Sequence, residues 1–329
     1  MARYIRNSAI LAKVETTYAT DAVPTGASNA VLVSNLTINP LNAQNVGRDL
    51  IRPYFGGSEQ LVGSASVEVS FDVEFQSSGS MTTPTIPAWD ALMQGVGYLA
   101  GVGAAGVSVT YDFQSTYSSI KGLTLYYYDD GLLHKVLGAR GTCAIKLGIG
   151  QRPTYSFTFT GLDGGVSAAA NPSTTLTAYK TPLIITDANT GALTLGCTYS
   201  AGALSSGVEY ACSGLEINLG NSVNFIDLLG TAAASGQSVE ITQREMTGKI
   251  SFELTAANEV TFMTTVKANT TQSLGLVHGT TTGYKMLVYA PTIQLINPKK
   301  EDINGRRLVG FDLRFLPSAG NDELKIVAL

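Results

Sequence analysis

The 329 residues hold only two histidines, His134 and His278, and three cysteines, Cys143, Cys197 and Cys212. Neither histidine has cysteines or clustered carboxylates at metal-ligand spacing. The cysteines sit among small and apolar residues with no C-x-x-C pair, and an odd number cannot pair completely, so they read as buried thiols of a reducing compartment. Gly95-Val96-Gly97-Tyr98-Leu99-Ala100 fits G-x-G-x-x-A, but a dinucleotide loop must leave a strand and open a helix. Here it follows a helix-patterned segment. No G-x-S-x-G, Walker or H-E-x-x-H motif occurs. The sequence therefore predicts no catalytic residue, no metal and no cofactor.

What remains is electrostatic. Glu68, Asp72 and Glu74 fall on the polar side of an alternating run, with Glu253 at a repeated position and Asp312 in another such run. Such a face is ordinarily solvated outer surface. Lining an aqueous channel is the sharper alternative.

The elements that must position these carboxylates are strands. Val67, Val69, Phe71, Val73 and Phe75 point one way and Glu68, Ser70, Asp72 and Glu74 the other, as in a half-buried strand about 30 Å long. Tyr155, Phe157 and Phe159 alternate with threonines and serine, and Val309, Phe311, Leu313 and Phe315 do the same. Leu125-Tyr126-Tyr127-Tyr128 and Leu132 to Leu137 form a predicted hairpin around Asp129-Asp130-Gly131. Helix signals are few. One follows Pro87 through Trp89, Leu92, Met93 and Val96; the other carries Val260, Phe262, Met263 and Val266, with Asn258 as its expected cap.

These features recur in order. Ser34-Asn35-Leu36-Thr37-Ile38-Asn39 returns as Ser213-Gly214-Leu215-Glu216-Ile217-Asn218, 179 residues later, and Phe71 is matched to Phe252 at a lag of 181. Lys135 to Phe157 returns from Lys285 to Phe311 at a shorter lag of about 150, so the second copy has lost residues in its middle. The expected fold is all-β: two tandem β-sandwich or barrel modules related by internal duplication, each with one short helix. Their expected limits are an N-terminal arm over 1–30, a first module over 31–165, a linker over 166–190 and a second module over 191–329.

Two long segments, Pro40 to Gly63 and Leu219 to Gln237, read as loops between strands. The first holds Arg48, Asp49, Arg52, Tyr54 and Phe55, residue types that anchor interfaces. Charged residues make up only 14% and the formal net charge is −4, which argues against strong nonspecific nucleic-acid binding. No signal peptide is expected, and the most membrane-like window, Ala91 to Val107, lacks the bulk of a spanning helix. Without a signal, the acceptor patterns at Asn35 and Asn269 are read as chance.

The opening Val14-Glu15-Thr16-Thr17-Tyr18-Ala19-Thr20-Asp21 with Pro24, the block Val46 to Tyr54, the hairpin Tyr127 to Lys135, Gly138-Ala139-Arg140-Gly141, Tyr155 to Leu162 and the ending Leu316 to Leu324 together resemble the tail tube (major tail) proteins of long non-contractile-tailed bacteriophages. The resemblance covers nearly the whole chain. It implies a structural virion protein, made in the host cytoplasm, whose copies form stacked rings around a channel for DNA that is not specifically bound. Tape-measure, tail-terminator and distal tail proteins are the implied partners, with no membrane. With two modules per chain, the sixfold rings of single-module relatives become trimers. Glu68, Asp72, Glu74, Glu253 and Asp312 are then expected to face the lumen, and Arg48, Asp49, Arg52, Tyr54 and Phe55, with the N-terminal arm, to join successive rings. Two other readings are a tube protein of a contractile or secretion system and a carbohydrate-binding decoration module using Tyr126 to Tyr128. A hydrolase is more distant, for want of any motif.

Overall fold

The computed structural model describes residues 3–80, 85–102, 108–229 and 236–329; the end of the Ala91–Val107 window and part of the Leu219–Gln237 segment lie outside them. The first half runs β1 (Ser8–Val14), α1 (Gly26–Asn29), β2 (Ala30–Val31), β3 (Ser34–Gly47), β4 (Gln60–Glu74), α2 (Asp90–Gly95), β5 (Tyr98–Val102), β6 (Val109–Phe113), β7 (Leu123–Asp129), β8 (Leu132–Gly148) and β9 (Thr154–Ala168). The second begins with the short strands β10 (Leu193–Leu195), β11 (Thr198–Ser200), β12 (Ala203–Ser205) and β13 (Val208–Tyr210). It continues with β14 (Cys212–Asn218), β15 (Asn221–Asp227), β16 (Gln237–Arg244), β17 (Thr247–Phe252), α3 (Ala256–Lys267), β18 (Thr271–His278), β19 (Met286–Ile303), β20 (Arg306–Phe315) and β21 (Lys325–Ala328). The fold is all-β.

One antiparallel run dominates, in the order β3-β4-β9-β8-β14-β17-β20-β19. Each half supplies four of these strands, and in both the last two exchange places relative to chain order. The halves meet at a seam where Gly214–Asn218 of β14 pairs with Gly148–Ala144 of β8. The ladders place Ile250, rather than Phe252, opposite Phe311 as Phe71 lies opposite Phe157. The match in strand register thus lies two residues from the match in aromatic identity.

Alternation explains why these segments pair. Val67, Val69, Phe71, Val73 and Phe75 are all buried, and Phe71 packs on Phe157 and Phe159 with ring centroids 6.0 and 5.9 Å apart. Each such side chain contributes about 2–3 kcal/mol by leaving water. Trp89, Leu92 and Met93 close this core, and the Trp89 indole N–H donates to the Gln76 carbonyl at 2.8 Å. In α3, Phe262 is the buried side chain, and the N-cap is Thr255 instead of Asn258: the Thr255 hydroxyl accepts from the Asn258 backbone N–H.

Strands β8 and β19 are long enough to serve two layers. Their N-terminal parts pair with β7 and β18, and their C-terminal parts belong to the eight-strand wall. Strands β5 and β6 stand between α2 and β7, whereas α3 leads straight to β18. β6 also pairs with β21, tying the C-terminal strand to the first half. Residues 8–14, expected in an arm, instead form β1 along β7, with Ile10 and Leu11 buried. Apolar Ile-Leu-Ala between polar residues makes that segment a core strand.

The segments read as loops are hairpins. β3 and β4 remain paired out to Gly47 and Gln60, leaving a tip over 48–59. β15 and β16 pair from Asn221–Arg244 to Asp227–Gln237. Asparagine-rich strands with several bulges carry little apolar alternation, so their pairing is concealed in sequence.

Candidate assembly surface

The wall has one apolar face against the core and one polar face. Glu68, Ser70, Asp72 and Glu74 stand on the latter, opposite Thr160, Thr158, Ser156 and Thr154 of β9. The Ser156 hydroxyl donates to Asp72 Oδ1 at 2.6 Å, the Asn35 amide to Asp72 Oδ2 at 2.7 Å, and the Ser70 hydroxyl to Thr158 at 3.1 Å. Arg152 pairs with Glu74 at 3.2 Å. Asp312 lies on the same face, accepting from Asn297 at 3.0 Å with Lys299 3.8 Å away. Glu253 does not join them. It follows the last residue of β17, at the wall's rim, and pairs with Arg306.

The polar face is not acidic throughout. Register sets Lys146 opposite Glu216, Glu216 opposite Lys249, and Lys249 opposite Asp312, a row of alternating charge running across the seam. Arg314 adds a further cation on this face, paired with Glu245. The first half thus sets Glu68, Asp72 and Glu74 against Lys146 and Arg152, while the second sets Glu216, Glu245 and Asp312 against Lys249, Lys299 and Arg314. An open groove of about 610 Å³ along the second half is lined by Glu216, Lys249, Asp312 and Arg314. Sequence reasoning passed over Lys146, Glu216, Lys249 and Arg314, although Glu216 and Lys249 stand inside the repeated blocks; strand parity alone would have found them.

Both outer edges of the wall are open. Among the described residues β3 pairs only with β4, and beyond Gln294 the C-terminal part of β19 pairs only with β20. At one end of the wall the β3–β4 hairpin runs past the last β4–β9 pair, Ser66–Leu162, by five residues on β3 and six on β4, up to about 20 Å at 3.3 Å per residue. At its tip Arg48 and Arg52 converge on Glu59. Tyr54 and Phe55 are exposed, Phe55 at 108%, as are Ile51, Leu61 and Val62. Asp49 is exposed beside them.

The second hairpin is folded back instead. Gly220, at φ +63°, turns β15 across β8, and the Asn221 amide donates to the carbonyls of Val96 and Gly141, 2.9 Å each. The Tyr18 hydroxyl accepts from the Val239 N–H at 2.6 Å; Arg140 donates to the carbonyls of Val239 and Ile120 and pairs with Glu240. Val239 is fully buried as a result.

His278 is buried, its Nδ1 2.9 Å from the Thr190 hydroxyl and its Nε2 3.1 Å from the Leu183 carbonyl, fastening the linker to β18. Burial holds its imidazole below the ordinary value, opposed by the Leu183 carbonyl. Burial pushes the Cys143 thiol well above its ordinary value. Among the described residues no group of three His, Cys, Asp or Glu is placed to hold a metal ion, and no helix is long and apolar enough to cross a membrane. Tyr126 and Tyr128 are buried, which removes the aromatic platform a sugar-binding module requires.

A continuous wall with one polar face, one core face, two open edges and a projecting apolar hairpin defines a structural, edge-presenting β protein. Residues 5–315 match the sequence model of the phage tail tube proteins, and the chain belongs to that family. It is a structural protein of the virion tail, of a family that is normally non-enzymatic and self-assembles into a tube with other tail proteins. No curated protein matches the chain.

Proposed function

We propose that three copies close into a ring whose inner wall is their eight-strand runs joined edge to edge, and that stacked rings form the channel through which phage DNA is delivered. The seam between β8 and β14 carries this reading. It is a worked example, inside one chain, of the pairing that the open edges of β19 and β3 offer between chains. We read the halves as an internal duplication, so that β3 stands to β19 of a neighbour as β14 stands to β8. Closure also removes the edge-strand hazard.

About 24 strands at 4.8 Å spacing and roughly 40° tilt give a backbone cylinder about 48 Å across. Duplex DNA fits within it after side chains are added. The polar face then lines the lumen, with Glu68, Asp72, Glu74 and Asp312 repelling phosphate and Lys146 and Lys249 standing in register with Glu216 and Asp312. Glu253 lies at the channel mouth. Arg48, Asp49, Arg52, Tyr54 and Phe55 serve contacts between rings. Tape-measure, terminator and distal tail proteins are the other partners.

Matching the ladders places Thr37 opposite Glu301 of the next copy, as Glu216 is opposite Lys146. Cross-linking a Thr37→Cys, Glu301→Cys variant should therefore yield closed three-chain species. A ladder of oligomers with no stop at three, or no cross-link in assembled protein, would contradict the proposal.

A further inference from the structure

The two rims of the wall differ. The far rim, opposite the projecting hairpin, carries an apolar groove at the seam. Its deeper part, about 300 Å³, is walled by Leu147, Ile149, Ile185, Cys212 and Leu276, and an adjoining part by Ile303 and Leu308 beside the Glu253–Arg306 ion pair. Ile149 is 55% exposed and Ile303 41%. Exposed side chains of this kind, gathered at one rim and bordered by polar residues, mark a contact surface. Asp187 and Glu209 border the groove, both exposed and neither in an ion pair among the described residues.

We infer that this groove receives the 48–59 tip of a second copy stacked on that rim, with Ile51 and Phe55 as anchors. The tip is apolar where the groove is apolar, and its two guanidiniums, Arg48 and Arg52, share one carboxylate, Glu59, leaving cationic capacity for Asp187 and Glu209. Hairpin and groove stand at opposite ends of the same strands: β4 runs from Gln60 beside the tip to Glu74, while Gly148, Gly214 and Ile303 end at the groove rim. The stem's reach of about 20 Å, with the tip beyond it, is enough to pass the rim of an adjacent ring. Donor and acceptor patches on opposite ends of one chain make a head-to-tail contact that does not close, and such contacts generate filaments. A groove placed on the seam is formed jointly by both halves and linker residue Ile185, so each chain offers one receptor for its one long hairpin.

The inference rests on the tube reading, and one experiment separates the two. A Phe55→Cys variant treated with a short thiol cross-linker should couple, in assembled tubes, to the native Cys212 of another copy, with the 55–212 link found by peptide mapping and lost in the Cys212→Ser background. In parallel, Ile149→Asp should leave closed rings while raising the concentration needed for stacking at least about tenfold, the loss expected from one apolar anchor. Tubes of ordinary length from Ile149→Asp, or coupling of residue 55 to sites away from the groove, overturn the groove assignment and leave the tube reading standing. Wild-type protein that forms neither rings nor tubes overturns the reading beneath it.

Discussion

The two hairpins that link the first and second wall strands of each half take opposite courses. β15–β16 bends at Gly220 and lies on the first half, where Val239 is buried and Arg140 and Tyr18 hold its backbone. The β3–β4 hairpin has Pro40-Leu41 where the other has Leu219-Gly220, and it continues straight into solvent. A Cβ at Gly220 would lie 2.0 Å from the Glu245 carbonyl oxygen, so only glycine permits the fold-back, and Leu41 cannot copy it. The folded hairpin buries Val239 and Ile241 against the chain, while Leu228 and Leu229 stay exposed at its end. The straight one leaves Ile51, Phe55, Leu61 and Val62 exposed, and under the proposed assembly it is the one that meets a neighbour.

The largest expected effect comes from forcing the folded hairpin to behave like the straight one. Gly220→Val adds a β-branched side chain at positive φ against backbone, and should cost about 3 kcal/mol or more in urea unfolding. Removing the clasp is milder: Arg140→Ala deletes two carbonyl contacts and the Glu240 pair and should cost about 2 kcal/mol. A smaller loss is expected from acid. His278 is held below its ordinary 6.5 when folded, so its contribution is present above that pH and lost as pH falls through it; a His278→Gln variant should flatten the decline in thermal melts between pH 7 and 5. The straight hairpin should be indifferent to loss of its anchor. Phe55→Ala should change stability by less than about 0.5 kcal/mol, and a larger change would mean that the tip is already packed within its own chain.

Much of the wall was legible because alternation is strong where one face is apolar: Val67 to Phe75, Tyr155 to Phe159 and Val309 to Phe315 are strands where the pattern put them. Helix α2 was legible from Trp89, Leu92 and Met93 on one face. The β3–β4 stem was not, since its asparagines and bulges erase the period, and the seam was not, because pairing between β8 and β14 is a long-range choice that no local pattern records. The acidic side chains of β4 stood out by sign. Lys146 and Lys249 did not, being single cations whose meaning depends on the carboxylates across the ladder.

The claim that the seam within a chain is repeated between chains is tested most directly by electron cryomicroscopy of the assembled protein. A tube with three chains per ring and a continuous inner sheet is expected, in which β19 of each chain pairs with β3 of the next as β8 pairs with β14. Rings of six whole chains, or neighbouring walls that meet without strand pairing at β3 and β19, would contradict it.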